Sequence, residues 1–240
     1  MAGLVWRWCR PALRQLHDGA WYLVLRWSPH LRPRPRHARP DGAGRGLVLH
    51  VTHSFDVGGT QTQIQRVCEA SNTRYQHAAT EIVPELNYGF RSGAVLDERR
   101  YGRVLGRVVA KREWRGFPLV QVYKLFRDFR AERPLVVMAW GHETCVTTFV
   151  AATFARVPHI VFGIRTFNPA YGWTDSVTAG DLQRAHRAMS PLVSGMIVNS
   201  TVVRDDHAAW VKLDPSLITV CPNGAPPSGL SAEVQREAAR

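Results

Sequence analysis

The sequence predicts an α/β fold, a doubly wound parallel sheet with helices on both faces. Three observations predict it. From residue 47 onward, short apolar runs alternate with stretches of helical period, the order expected when a crossover helix follows each strand. Several runs, such as 135–140 (LVVMAW), are apolar at nearly every position, so both faces of those strands need cover. The first run also hands over to a helix through two adjacent glycines, Gly58 and Gly59, and in such sheets ligands bind beyond the carboxyl ends of the strands.

The elements follow in order. Residues 47–52 read as a strand, and 61–71 as a helix with Ile64, Val67 and Cys68 on one face. A second strand covers 77–83. The Gly- and Arg-rich stretch 85–116 is expected to hold a strand, a helical piece and a loop. Pro118 suits the first turn of a helix, along which Leu119, Val122, Tyr123, Phe126 and Phe129 keep helical spacing until Pro134. Residues 135–140 form a buried strand. The helix over 144–156 turns Val146, Phe149, Val150 and Phe154 inward, and 159–164 is the next strand. A helix over 179–193 uses Leu182, Ala185, Met189 and Val193. Residues 196–198 are a strand, 201–212 a helix capped by Ser200, and 217–221 a strand entering the turn Pro222–Asn223–Gly224. No internal repeat is visible.

Composition sets the bounds. At 240 residues and 27.0 kDa the chain can bury one good core and is short for two. Its 45% hydrophobic and 21% charged residues are those of a globular protein, neither disordered nor membrane-spanning. The net charge of +12 is uneven: residues 1–46 carry nine Arg against two acidic residues, +7 of the total. Four organisational units result. Residues 1–28 are basic and Trp-rich, a composition for lying in a membrane interface or for a helix packed on the domain. Residues 29–46 are a Pro/Arg/Gly-rich linker; residues 47–227 are the α/β domain; residues 228–240 begin an interdomain linker.

No apolar run reaches the length of a membrane span, and the apolar piece at 20–25 is too short for a signal-peptide core. Cys9, Cys68, Cys145 and Cys221 form no CxxC pair, which argues against a zinc site or disulfide framework and fits a reducing cytosol. The expected location is cytoplasmic, with peripheral contact to the inner face of a membrane through residues 1–28. No motif or aromatic interleaving supports nucleic-acid binding.

The candidate chemistry lies at strand ends. Gly58, Gly59 and Thr60 lie just before the helix over 61–71, whose N-terminus would present unpaired N–H groups and partial positive charge, so the glycines either form a tight turn or admit a phosphate to the backbone. Trp140, His142 and Glu143 follow a buried strand; His142 suits a proton partner or a surface hydrogen bond, and Glu143 suits the start of the next helix. Arg165, with Asn168 beyond it, would offer paired N–H donors to phosphate or sugar hydroxyls, or bond neighbouring loop carbonyls. Asp205 and Asp206 are expected to face solvent. No residue stands out as a catalytic acid, base or nucleophile, and no metal ligands are assigned.

Together "VTHSFDVGGTQTQI", "VVMAWGHETCVTTFVAATFARVPHIVFGIRTFNP" and "MIVNSTVVRDDHAAWVKLDPSLITVCPNGAPP" resemble the N-terminal, Rossmann-like domain of family-four glycosyltransferases of the two-domain GT-B architecture, in the right order across about residues 47–227. The resemblance implies sugar transfer from a nucleotide-sugar, serving as co-substrate with no further cofactor, to a glycan or lipid-linked acceptor, usually with retention. It places Gly58, Gly59 and Thr60 by the donor phosphates, and Trp140, His142, Glu143, Arg165 and Asn168 on the acceptor side. Arg165 stands where many members have His, and with Asn168 and Pro169 resembles polysaccharide-related members. The second domain of that architecture, with its phosphate clamp and paired glutamates, is not represented, so a C-terminal domain or partner subunit is expected to complete the cleft. A non-catalytic module binding an acceptor or partner at a membrane is the alternative. An unrelated nucleotide-binding domain of the same sheet type is a third reading.

Overall fold

A computed structural model of the chain describes residues 40–42, 44–53, 59–84, 103–110, 119–171 and 176–223. The expectations for the 1–28 segment, most of the linker, Gly58, the turn at Gly224 and the 228–240 segment lie outside those residues. Seven strands are present among them: β1 (Leu47–Thr52), β2 (Gln76–Pro84), β3 (Arg103–Ala110), β4 (Val136–Trp140), β5 (His159–Ile164), β6 (Gly195–Val198) and β7 (Ile218–Val220). They form one sheet in the order β3-β2-β1-β4-β5-β6-β7, and every neighbouring pair is parallel. The chain builds outward from β1 to β3, then returns to the other side of β1 with β4. That reversal puts a crevice between the carboxyl ends of β1 and β4, where loops diverge and a ligand has room.

The helices are α1 (Gly59–Ser71), α2 (Leu119–Glu132), α3 (His142–Ala155), α4 (Ser176–Met189) and α5 (Thr201–Val211). Alternation along the strands divides them between the two faces. Leu47, Leu49 and Val51 of β1, Val137 and Ala139 of β4, and Ile160, Phe162 and Ile164 of β5 join one core with residues from α2, α3, α4 and α5. On the opposite face, Met138 and Trp140 of β4 pack with Ile64 and Cys68 of α1. The expected α/β fold, parallel and covered on both faces, is thus the fold observed.

The central helix explains two departures from periodicity. Helix α3 is wedged between α2 and α4 as well as on the sheet, and eleven of its 14 residues are buried. Its few outward positions include Phe154, 49% exposed, rather than turned inward as the spacing suggested. On α2 the core stripe is Val122, Leu125 and Phe129, so Tyr123, a third of a turn away, is 61% exposed. Val193 falls beyond α4, which ends at Met189 and tightens into the 3-10 turn Ser190–Leu192; Pro191 has no N–H with which to continue an α-helix. Leu217 lies in the 3-10 turn Pro215–Leu217 ahead of β7, not in the strand. The Ser200 cap is as expected, its Oγ accepting from the Val203 N–H at 3.2 Å.

Candidate functional site

Helix α1 begins at Gly59, at the carboxyl end of β1, with Gly59 exposed and Thr60 half-buried. A Cβ added to Gly59 would meet nothing within 4 Å. Packing against the described residues therefore does not require glycine there.

Across the crevice, β4 ends in Trp140, 1% exposed, followed by Gly141 at φ 93°, a left-handed conformation that favours glycine. The Gly141 N–H donates to the Gly163 carbonyl at 3.0 Å, and α3 starts at the next residue. Glu143 is exposed in the first turn of α3, where a carboxylate complements the helix dipole. Trp140 fits because β5 offers Gly163 beneath it. A Cβ there would lie 2.8 Å from the indole Cε3, closer than carbon atoms approach. Gly163→Ala is expected to displace the rigid indole and destabilise the domain by about 1–3 kcal/mol, measurable as a lower urea midpoint with altered tryptophan emission.

Arg165 leaves the end of β5 and lays its guanidinium over the Trp140 ring, 4.9 Å from the centroid. Its Nη1 donates to Asn223 Oδ1 at 2.7 Å, while its backbone carbonyl accepts from Asn199 Nδ2 at 3.2 Å. Burial lowers its pKa. Two polar atoms here are buried without a partner among the described residues, the N–H donor Arg165 Nε and the acceptor Asn199 Oδ1. Such groups cost free energy unless something pairs with them.

The loop beyond is fixed by Asp206. Its carboxylate takes both the Asn168 backbone N–H (2.8 Å) and the Asn168 side-chain amide (2.7 Å), and Asn168 Oδ1 accepts from the Ala170 N–H. Asp206 is thus half-buried and structural, not solvated as the helical spacing suggested; Asp205 is exposed and paired with Arg204. Asn168 is buried and acts as the hinge pin of this loop.

His142 is neither at the surface nor free in the crevice. It is 7% exposed and packs against His186 of α4 and His207 and Trp210 of α5, all at ring separations of 5.4–5.5 Å. His186 Nε2 donates to the His142 carbonyl at 2.9 Å. Four ring nitrogens in this trio have no partner: His142 Nε2, His186 Nδ1 and both nitrogens of His207. Burial holds all three rings neutral, with His186 lowered to about 4, His207 to about 3, and His142 well below its usual value.

A second polar cluster lies under α1, and the sequence reading passed over it. The ligand-capable atoms of His50, Cys68 and His77 all lie within 4.8 Å of one another, the one such group among the described residues. The spacing of the cysteines gave no hint, because Cys68 meets histidines from two different strands. The visible signal was His50, a polar residue inside the apolar run of β1. No disulfide occurs among the described residues, where Cys68 and Cys145 are buried and Cys221 is exposed. No described helix is long and apolar enough to cross a membrane.

No family model matches the chain, and no curated protein matches it. Solved structures do. The S. aureus MnaA–UDP structure aligns at TM-score 0.53 and 10% identity, covering 81% of this chain and 51% of that one. The lipopolysaccharide outer core galactosyltransferase WaaB, in its apo form, gives 0.51 and 12%, covering 77% and 50%. UDP-GlcNAc 2-epimerase from Neisseria meningitidis, bound to UDP-GlcNAc, gives 0.50 and 12%, covering 74% and 47%. At these identities the likeness establishes the fold. The chain spans about half the length of each of these proteins.

Proposed function

We propose that this chain forms one wall of a nucleotide-sugar-dependent glycosyltransferase, of the family-four, polysaccharide-related type, passing a sugar to a glycan or lipid-linked acceptor. The observation that carries the reading is what lies at the carboxyl ends of the strands: the N-terminus of α1 follows β1, and an arginine whose Nε has no partner among the described residues follows β5. Both suit the oxyanions of a nucleoside diphosphate or the hydroxyls of a sugar. The fold is shared with a galactosyltransferase and with proteins solved with UDP or UDP-GlcNAc, which supports this choice of ligand class.

In this reading Gly58, Gly59 and Thr60 border the donor phosphates. Arg165 and the Asn168 loop border the acceptor, while Trp140 and His142 act from beneath the surface. A further domain or partner subunit closes the cleft and supplies the remaining donor contacts. Catalysis would then consist of charge stabilisation on the departing diphosphate, with both walls contributing.

Gly59→Asp tests the donor side. Its Cβ has free space, and an acidic residue in a first turn favours the helix, so stability is expected to hold or rise slightly. The same carboxylate would repel a phosphate. UDP binding by the chain, followed by calorimetry, and sugar transfer in extracts of cells producing the variant should both be lost. Unchanged transfer with Gly59→Asp would remove α1 from the donor site.

A further inference from the structure

We propose that His50, His77 and Ser71 form a hydrogen-bonded positioning relay that fixes the Trp140 indole and, through it, the Arg165 guanidinium at the sheet edge. The inference rests on the placing of Arg165 in the site and is independent of which ligand the site binds.

The polarity of the chain follows from groups that can act in only one way. The Trp140 indole Nε1–H can only donate, and it meets His50 Nδ1 at 3.2 Å. His50 Nδ1 is therefore an acceptor, and the ring carries its proton on Nε2. That N–H faces His77 Nδ1 at 3.1 Å, which must accept, leaving the His77 proton on Nε2. His77 Nε2 lies 3.0 Å from Ser71 Oγ, and the Ser71 hydroxyl donates in turn to the Val67 carbonyl inside α1. Every donor finds one acceptor, with no freedom left for either ring to flip.

The two imidazoles lie nearly coplanar, with centroids 5.4 Å apart and planes 20° from parallel, as an in-plane N–H···N bond requires, and His50 and the Trp140 indole are inclined by 29° with centroids 6.1 Å apart. The relay thus runs from the last turn of α1 through β2 and β1 to the end of β4, where Arg165 lies on the indole. Gly163, its partner on β5, leaves room for the ring. An arginine held by ring stacking needs the ring held too, and these residues hold it.

A metal ion is the competing use of the same side chains, with Cys68 as third ligand. Coordination through His50 Nε2 and His77 Nδ1 needs both atoms bare; His77 Nδ1 already is, but His50 Nε2 would have to give up its hydrogen. His50 would then carry its proton on Nδ1, pointing at the Trp140 N–H, donor against donor. It would also need the thiolate of Cys68, whose pKa burial pushes up to about 12. The polarity that the Trp140 N–H imposes is that of a filled relay.

The test is the tautomeric state of the rings in the unaltered chain. Long-range ¹H–¹⁵N spectra at pH 7 are expected to show His50 and His77 both protonated at Nε2, and added Zn²⁺ to leave those signals and the thermal midpoint unchanged. His50 protonated at Nδ1, or saturable Zn²⁺ binding that shifts His50 and raises the midpoint, would overturn the relay.

Two variants read the positioning itself, using the Trp140 indole N–H signal (identified by its loss in Trp140→Phe) and the Arg165 Nε signal, which feels the ring current. His50→Leu should move the indole proton upfield and shift Arg165 Nε. His50→Asn keeps an acceptor near the Nδ1 place and should hold both close to their original positions. Equal shifts in the two variants, or none in either, would overturn the proposal. If His50→Leu does not fold, Ser71→Ala at the far end supplies the same reading, with displacement of the His77 Nε2–H signal expected and its constancy counting against the relay.

Discussion

Between pH 6.5 and about 4 the folded domain is expected to lose its stability in one steep transition. Of the five buried histidines among the described residues, four drive it, and burial lowers the fifth, His77, as well. Burial lowers His50 and His207 to about 3 and His186 to about 4, and takes His142 well below the usual 6.5. In the unfolded chain each titrates near 6.5. Below that pH the unfolded state binds protons that the folded state refuses, so stability is complete above about 6.5 and falls as the pH drops. Each histidine contributes about 1.4 kcal/mol per pH unit, and four together about 5. Against a total of about 5–15 kcal/mol for an ordinary domain, one to three units below 6.5 exhausts the fold. Urea titrations followed by circular dichroism at pH 7.5, 6.5, 5.5 and 5.0 measure the slope directly. His207→Leu should lower that slope by about a quarter. It should also leave neutral-pH stability intact or improve it, because both His207 nitrogens are buried without partners. Stability that stays flat from pH 7 to 5 would mean these rings are not held neutral.

The sheet was legible because parallel strands buried on both faces must be apolar throughout, and β4 and β5 keep that rule. The helices were legible in extent but less so in facing. A periodic stripe tells which side of a helix meets one surface; α3 meets the sheet, α2 and α4 together, so Phe154 was assigned to a core that had no need of it. That Gly59, Trp140 and Arg165 stand at the carboxyl ends of strands was legible, since topology alone brings those ends together. Their supports were not. His50, His77 and Ser71 act through pairings between strands and a helix turn, and His142, His186 and His207 meet across three helices. Spacing within one segment carries no trace of such contacts. Asp206 shows the same limit: on a helical wheel it belongs to a solvated face, and only the fold returns the Asn168 loop to it.

Arg165→Ala is expected to lower kcat/KM for the acceptor by about 10²–10³-fold in the proposed transferase, the range found when one preorganised hydrogen-bond donor of an active site is removed. The loss should be chemical rather than structural. Arg165 is half-buried, so the urea midpoint is expected to move little, although Asn223 loses its donor. Arg165→Lys should not restore activity. An ammonium keeps the charge but cannot lie flat on the indole or present two N–H groups in a plane. If Lys does restore it, the site needs only a positive charge on the acceptor side, and the contact with Trp140 serves the fold alone. If neither variant affects transfer while UDP binding persists, the reacting groups lie elsewhere in the crevice, and the unpartnered Nε belongs to packing. Steady-state kinetics with both variants, alongside UDP calorimetry, separates the three cases. Only the first makes the arginine, held over a fixed indole, a working part of the chemistry.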